Sequence, residues 1–93
     1  MSNVGDVVTV VSMLGEVVGK LKEETAQGYL LEDPRLFVPS NDGQGGFSPG
    51  LCMTGKTELK EAHFNKNVVL TVLPSHEVIE KGWREATSGI VVP

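Results

Sequence analysis

Apolar positions fall into a few short runs along the chain, some alternating and some unbroken, with glycine or proline between them. Residues 6–14, DVVTVVSML, are rich in β-branched side chains and too short for a typical helix, which predicts a strand buried on both faces. After Gly15 the pattern alternates. Val17, Gly19 and Leu21 share one face, while Glu16, Lys20 and Lys22 share the other, the period of a half-buried strand. Val18 is the apolar residue out of phase. The two segments are predicted to pair as a hairpin, and Gly19 marks a sharp bend or a close approach of another backbone.

Residues 23–27 are a polar connection, and Gly28 opens a third apolar stretch at residues 29–38, YLLEDPRLFV. Pro34 cannot donate to a sheet ladder, so residues 33–35 are predicted to bulge, splitting this strand and shifting its register. Pro39 ends it, and residues 40–50, SNDGQGGFSPG, read as a loop or a long hairpin tip. Period two returns over residues 60–73, where Ala62, Phe64, Val68, Leu70 and Val72 share a parity that Lys66 breaks. One long strand is predicted there. Pro74 stops it, and Ser75 is the expected N-cap of a helix running to about Ala86. Ile79, Trp83 and Ala86 would form its inner stripe, with Glu77 and Lys81, and Glu80 and Arg84, paired outside. Gly82 weakens this helix by about 1 kcal/mol relative to alanine. Ser88 and Gly89 end it, and residues 90–92 are predicted to add a last short strand. The order strand, strand, strand, loop, strand, helix, strand predicts a mainly β fold. A small, strongly bent antiparallel sheet or open barrel fits it.

Length and composition narrow this picture. At 93 residues the chain is read as one domain, residues 1–93, with a Gly/Pro-rich insertion loop at about 39–59. A core of that size leaves stability marginal, so a partner subunit is expected. A hydrophobic share of 40% with 22% charged residues argues against disorder. No apolar run approaches the roughly 18 residues of a spanning helix, and the first residues lack signal-peptide features. The expected location is the cytoplasm, that of the host if the protein is viral. A formal charge of −4 opposes broad attraction to a polyanion, so any nucleic-acid contact must be local.

Candidate chemistry is sparse. Cys52 is the single cysteine, and His63 and His76 are the only histidines, which leaves no ligand set for a structural zinc site. No serine, cysteine or acidic pair is spaced to bring a base and an orienting acid to a nucleophile. No catalytic residue, metal or cofactor is expected. Residues 50–57, GLCMTGKT, do meet the phosphate-loop pattern G-x-x-x-x-G-K-[ST] at every fixed position. That motif works only when a buried strand ends before its first glycine and a helix starts at its lysine. GGFSP precedes Gly50, and a predicted strand follows soon after Thr57. A glycine-rich loop that binds no nucleotide is the expectation, and a chance match has odds of roughly one in a hundred.

Residues 14–33, LGEVVGKLKEETAQGYLLED, resemble the first signature of the Sm-like (LSm) family. Val17, Val18, Gly19 and Leu21 stand at its first set of positions, and Tyr29, Leu30, Leu31, Glu32 and Asp33 at its second. The whole chain looks most like an Sm-like protein of the cyanophage or marine-phage type. The resemblance implies a strongly bent five-stranded sheet, here with one short helix between strands four and five and no N-terminal helix. It also implies a closed homo-oligomeric ring in which strand four of one subunit adds to strand five of the next. About five to seven subunits are implied, with a pentamer or hexamer favoured, and closure removes both open edges.

In the family, an aspartate and an asparagine between strands two and three, and an Arg-Gly-type pair between strands four and five, contact uridine-rich RNA. Here EETAQG fills the first loop, with Thr25 near the aspartate position and Gly28 or Tyr29 near the asparagine. The second connection is read as Pro74, Ser75 and His76, without an Arg-Gly pair. The implied RNA-binding positions are Thr25, Gln27, Tyr29 and His76, with Lys56, Lys60 and Lys66 as possible phosphate contacts. Single-stranded RNA is the implied ligand. A structural or protein-interaction ring of phage origin, with no RNA binding, is the alternative.

Overall fold

A computed structural model describes residues 3–40, 45–52 and 54–88. They form strands β1 (Val7–Ser12), β2 (Gly15–Glu24), β3 (Gly28–Val38), β4 (Gly46–Phe47), β5 (Glu61–Asn65) and β6 (Val69–Pro74), followed by helix α1 (Glu77–Thr87). A 3-10 turn, Lys66–Val68, joins β5 to β6. Every pairing is antiparallel: β6 lies beside β1, β1 beside β2 and β2 beside β3, while β4 and β5 both pair with β3. Among the described residues no pairing joins β5 to β6, so the sheet is not closed. No described helix is long and apolar enough to cross a membrane.

The hairpin of β1 and β2 forms as the alternation predicts, with Val10 opposite Val17 and Ser12 opposite Gly15. Its turn is held by Ser12, whose hydroxyl donates to the Gly15 carbonyl at 3.0 Å and accepts from the Leu14 amide at 3.3 Å. Gly15 has φ +133°, a conformation closed to most side chains. Met13 and Leu14 therefore stand at the tip, 81% and 90% exposed, and the predicted extension of the buried strand to Leu14 is corrected. Below the tip, Val8, Val10, Val17, Leu21 and Leu31 form the main core. Val7, Val18 and Trp83 form a second cluster, which accounts for the phase of Val18: both faces of β2 are covered, one by the sheet's own core and one by α1. Gly19 answers the close-approach expectation, since a Cβ there would lie 3.0 Å from the Glu32 carbonyl oxygen and 3.2 Å from the Leu31 Cβ.

Pro34 produces the predicted bulge. Val18 pairs with Arg35 but Lys20 already pairs with Glu32, so Asp33 and Pro34 together face Gly19, and Asp33 takes φ +48°. The bulge changes the outer partner of β3: Gly28 to Glu32 pair with β5, whereas Phe37 and Val38 pair with β4. The 39–59 loop thus contains a sixth strand that alternation could not reveal in two residues. Phe47 of β4 meets Phe37 edge to face, with ring centroids 5.3 Å apart.

The single long strand predicted over residues 60–73 is corrected to two. The Asn65 side chain accepts from the Asn67 amide at 2.8 Å, a local bond that competes with the ladder and turns the chain at the position where Lys66 broke the alternation. The helix cap is corrected too. Ser75 hydrogen-bonds the Thr9 hydroxyl at 2.8 Å, and His76 takes the N-cap position without a side-chain cap bond. Ile79 and Trp83 face inward as predicted, but Ala86 is exposed. Thr87 is half-buried in its place, donating to the Trp83 carbonyl at 2.8 Å. Trp83 in turn donates its indole N–H to the Asp33 carbonyl at 2.9 Å, tying the helix to the bulge. The strand expected at residues 90–92 lies outside the described residues, so α1 follows the last described strand and does not separate two of them.

Candidate functional site

The β2–β3 connection is built by Thr25. Its amide donates to the Gly28 carbonyl at 2.8 Å, and its hydroxyl accepts from the Gln27 and Gly28 amides at 3.2 and 3.1 Å. A threonine that satisfies two amides in this way fixes a tight turn, and Gly28 leaves it directly beneath β5. The Lys66 amide then donates to the Gln27 carbonyl at 2.9 Å, so the β5–β6 turn is stitched to the β2–β3 connection. This join places the Lys66 ammonium 5.4 Å from the centre of the Tyr29 ring. Thr25, Gln27, Tyr29 and Lys66 therefore meet at one end of the sheet. Tyr29 is half-buried against the core while Gln27 and Lys66 are exposed, so the tyrosine is held as the polar groups reach solvent. A half-buried ring beside a cation, flanked by amide groups, can stack a planar base and pair a phosphate.

The electrostatics temper that capacity. Lys66 Nζ lies 3.3 Å from a Glu24 carboxylate oxygen, and Lys22 of β2 pairs with Glu61 of β5 across the intervening β3. The hydrogen bond to Glu61, and then its charge, with Glu32 and Glu23 adding to it, hold the Lys22 ammonium above its ordinary pKa. Both pairs are solvent-exposed, so water and salt screen them. They are easily opened by a competing anion.

The other predicted positions lie elsewhere. His76 caps α1 and lines a hollow of about 200 Å³ with Thr9, Val11, Phe37 and Leu73. Lys60 precedes β5 at the end opposite Lys66, its carbonyl accepting from the Asp33 amide at 2.8 Å. Lys56 sits in the GLCMTGKT loop. That loop is closed by the Glu58 amide donating to the Pro49 carbonyl at 2.7 Å, and Leu51 packs on the core. Where a phosphate loop requires a helix, the described residues after Thr57 lead into β5. Among the described residues no three histidine, cysteine, aspartate or glutamate side chains gather into a metal site.

No family model, curated protein or solved structure matches the chain. The resemblance to the Sm-like signature is thus carried by residues 14–33 alone. Sequence reasoning passed over Glu24, Asn65 and Asn67. The visible signal was the break in alternation at Lys66, which sits between two asparagines, residues suited to turns.

Proposed function

We propose that the chain is a subunit of an Sm-like homo-oligomeric ring that contacts single-stranded RNA through residues 25–29 and the Lys66–Val68 turn. The observation that carries this reading is the join between those two connections, with the Lys66 amide on the Gln27 carbonyl and the Lys66 ammonium beside Tyr29. With β5 and β6 as strands four and five of the Sm-like order, Lys66 and Asn67 take the place that the resemblance gives to the Arg-Gly pair. A cation is thereby kept at that place.

Assembly is supported by the two open edges. Taken as strands four and five, β5 and β6 each lack a partner on one side among the described residues, as the two-residue β4 also does. On and beside β6, Val68, Leu70 and Leu73 are 50%, 68% and 49% exposed. An apolar strand edge of this kind is an aggregation hazard in a monomer, and cyclic closure removes it.

The alternative, a ring of phage origin that serves only as a structural or protein-interaction module, draws on the charge of −4 and on the carboxylates paired to Lys22 and Lys66. One experiment separates the readings. Light scattering should give a closed oligomer that Leu70→Lys converts to monomer, and fluorescence anisotropy at low salt should show oligouridine or oligoadenine binding that added salt weakens, with a duplex control silent. A monomer at micromolar concentration overturns the ring. An intact ring that binds neither probe overturns the RNA reading and leaves the interaction module.

A further inference from the structure

Taking the RNA reading of this rim as its basis, we infer that Glu24 is a built-in competitor for the RNA phosphate, occupying Lys66 in the free protein and holding the affinity of the site down. The geometry places two groups around one ammonium. Lys66 Nζ is 3.3 Å from the Glu24 carboxylate and 5.4 Å from the Tyr29 ring centre, while its own backbone is fixed to Gln27. The lysine cannot leave the rim, but its head group can change partners. Glu24 ends β2 opposite Tyr29 in the ladder, so the carboxylate belongs to the same cross-strand pair as the ring on which a base would stack. A phosphate reaching Lys66 does so against the charge of Glu24, which lies 3.3 Å from the same ammonium.

The pair is open to such exchange. The Lys66 and Glu24 side chains are 41% and 51% exposed, and solvent-exposed ion pairs hold weakly. The turn does not depend on Glu24, because Thr25 closes it through its own amide and hydroxyl. A purely structural role for Glu24 and a competitive one therefore predict opposite signs. If the carboxylate merely held Lys66 in place for RNA, removing its charge would weaken binding. If it competes, removal tightens binding and raises the number of phosphates neutralised. A freed lysine steepens the dependence of log K on log salt by about 0.7 for a single strand.

The test uses the full chain and a fluorescein-labelled oligouridine probe, with anisotropy titrations across a salt series. Four variants are compared with the parent: Glu24→Gln, Lys66→Gln, the double change, and Glu23→Gln, which alters the net charge equally on a neighbouring residue. The expected result is a three- to tenfold tighter Kd for Glu24→Gln with the steeper salt slope. Glu23→Gln should show less than a twofold change and the parent slope, and Glu24→Gln should bring no comparable gain once Lys66 is glutamine. Equal tightening by Glu23→Gln, or the same gain in the Lys66→Gln background, would reduce the effect to net charge and overturn the inference. Weaker binding by Glu24→Gln would overturn it in favour of a structural pair. In each of these cases the probe still binds and the RNA reading stands. If neither the parent nor Glu24→Gln binds oligouridine at low salt, the RNA reading itself fails and the inference falls with it.

Discussion

Gly28→Ala tests the link between the rim and the fold more directly than any other single change. A Cβ on Gly28 would lie 2.1 Å from the Phe64 carbonyl oxygen, 2.9 Å from its carbonyl carbon and 2.8 Å from the His63 imidazole. Two of these contacts are backbone, so no rotamer change relieves them and β5 must withdraw by about 1 Å or more. That movement breaks the Gly28 and Asn65 pairing and strains the Lys66 amide bond to Gln27. At about 1 kcal/mol per net hydrogen bond, with some loss of Phe64 packing on the core, the expected destabilisation is about 2–4 kcal/mol. For a chain of this length, total stability is about 5–14 kcal/mol. With a urea m-value of about 2 kcal/mol/M, the middle of the range for small proteins, the midpoint should fall by about 1–2 M. Trp83, the only tryptophan, reports the transition by fluorescence. Gly46→Ala is the control, because a Cβ there meets nothing within 4 Å; it should leave the midpoint unchanged or raise it slightly. If Gly28→Ala unfolds within about 0.5 kcal/mol of the parent, as surface changes do, the tight junction of β3 and β5 is refuted.

Leu31→Ala removes a fully buried side chain from the centre of the main core and should lower stability by about 2–5 kcal/mol, measured by the same urea titration. A loss below about 1 kcal/mol would mean that the site collapses freely. The Lys22 and Glu61 pair gives a pH prediction of definite sign. Because Glu61 raises the folded-state pKa of Lys22, its contribution is complete below the unfolded lysine value of about 10.4 and is lost as pH rises through the higher folded value. The midpoint difference between the parent and Glu61→Gln should therefore hold steady from pH 7 to about 10 and shrink above it. A difference that grows in alkali contradicts the assignment.

The features legible in sequence were those in which one residue type dictates backbone geometry. Pro34 announced the bulge, Gly19 the close approach, and the alternation of Val17 and Leu21 the core face. Val18 stood out of phase, and only its contact with Trp83 shows that the helix covers the other face of β2. What escaped was long-range or very short. The break at Lys66 was visible, but whether a strand resumes on the same partner or crosses to another depends on which edge is open, and β5 and β6 pair with different strands. A two-residue strand such as β4 has no period to read. The reading of Pro74 to His76 as the connection after strand four followed from taking residues 60–73 as one strand, where β5 and β6 stand. Thr25, Gln27 and Tyr29 could be grouped from the sequence because they lie in one connection, whereas Glu24 meets its partner Lys66 across 42 residues.

The bulge at Asp33 and Pro34 also divides the outer edge of β3 into two berths. The chain passes from one to the other through the 39–59 segment, which is secured on the way out by β4 against Phe37 and Val38. On the way back it is secured by Leu36 donating to Gly50 and Glu58 donating to Pro49. The described flanks of the segment, up to Ser40 and from Gly45 on, are thus each held by contacts of their own. In an engineering sense the two flanks are clamps: doubling the length of a connection between such anchors costs only about 0.6 kcal/mol of closure entropy. A tag, an epitope or a fluorophore acceptor inserted there would leave the register of β5, and with it the rim at Lys66, where it stands.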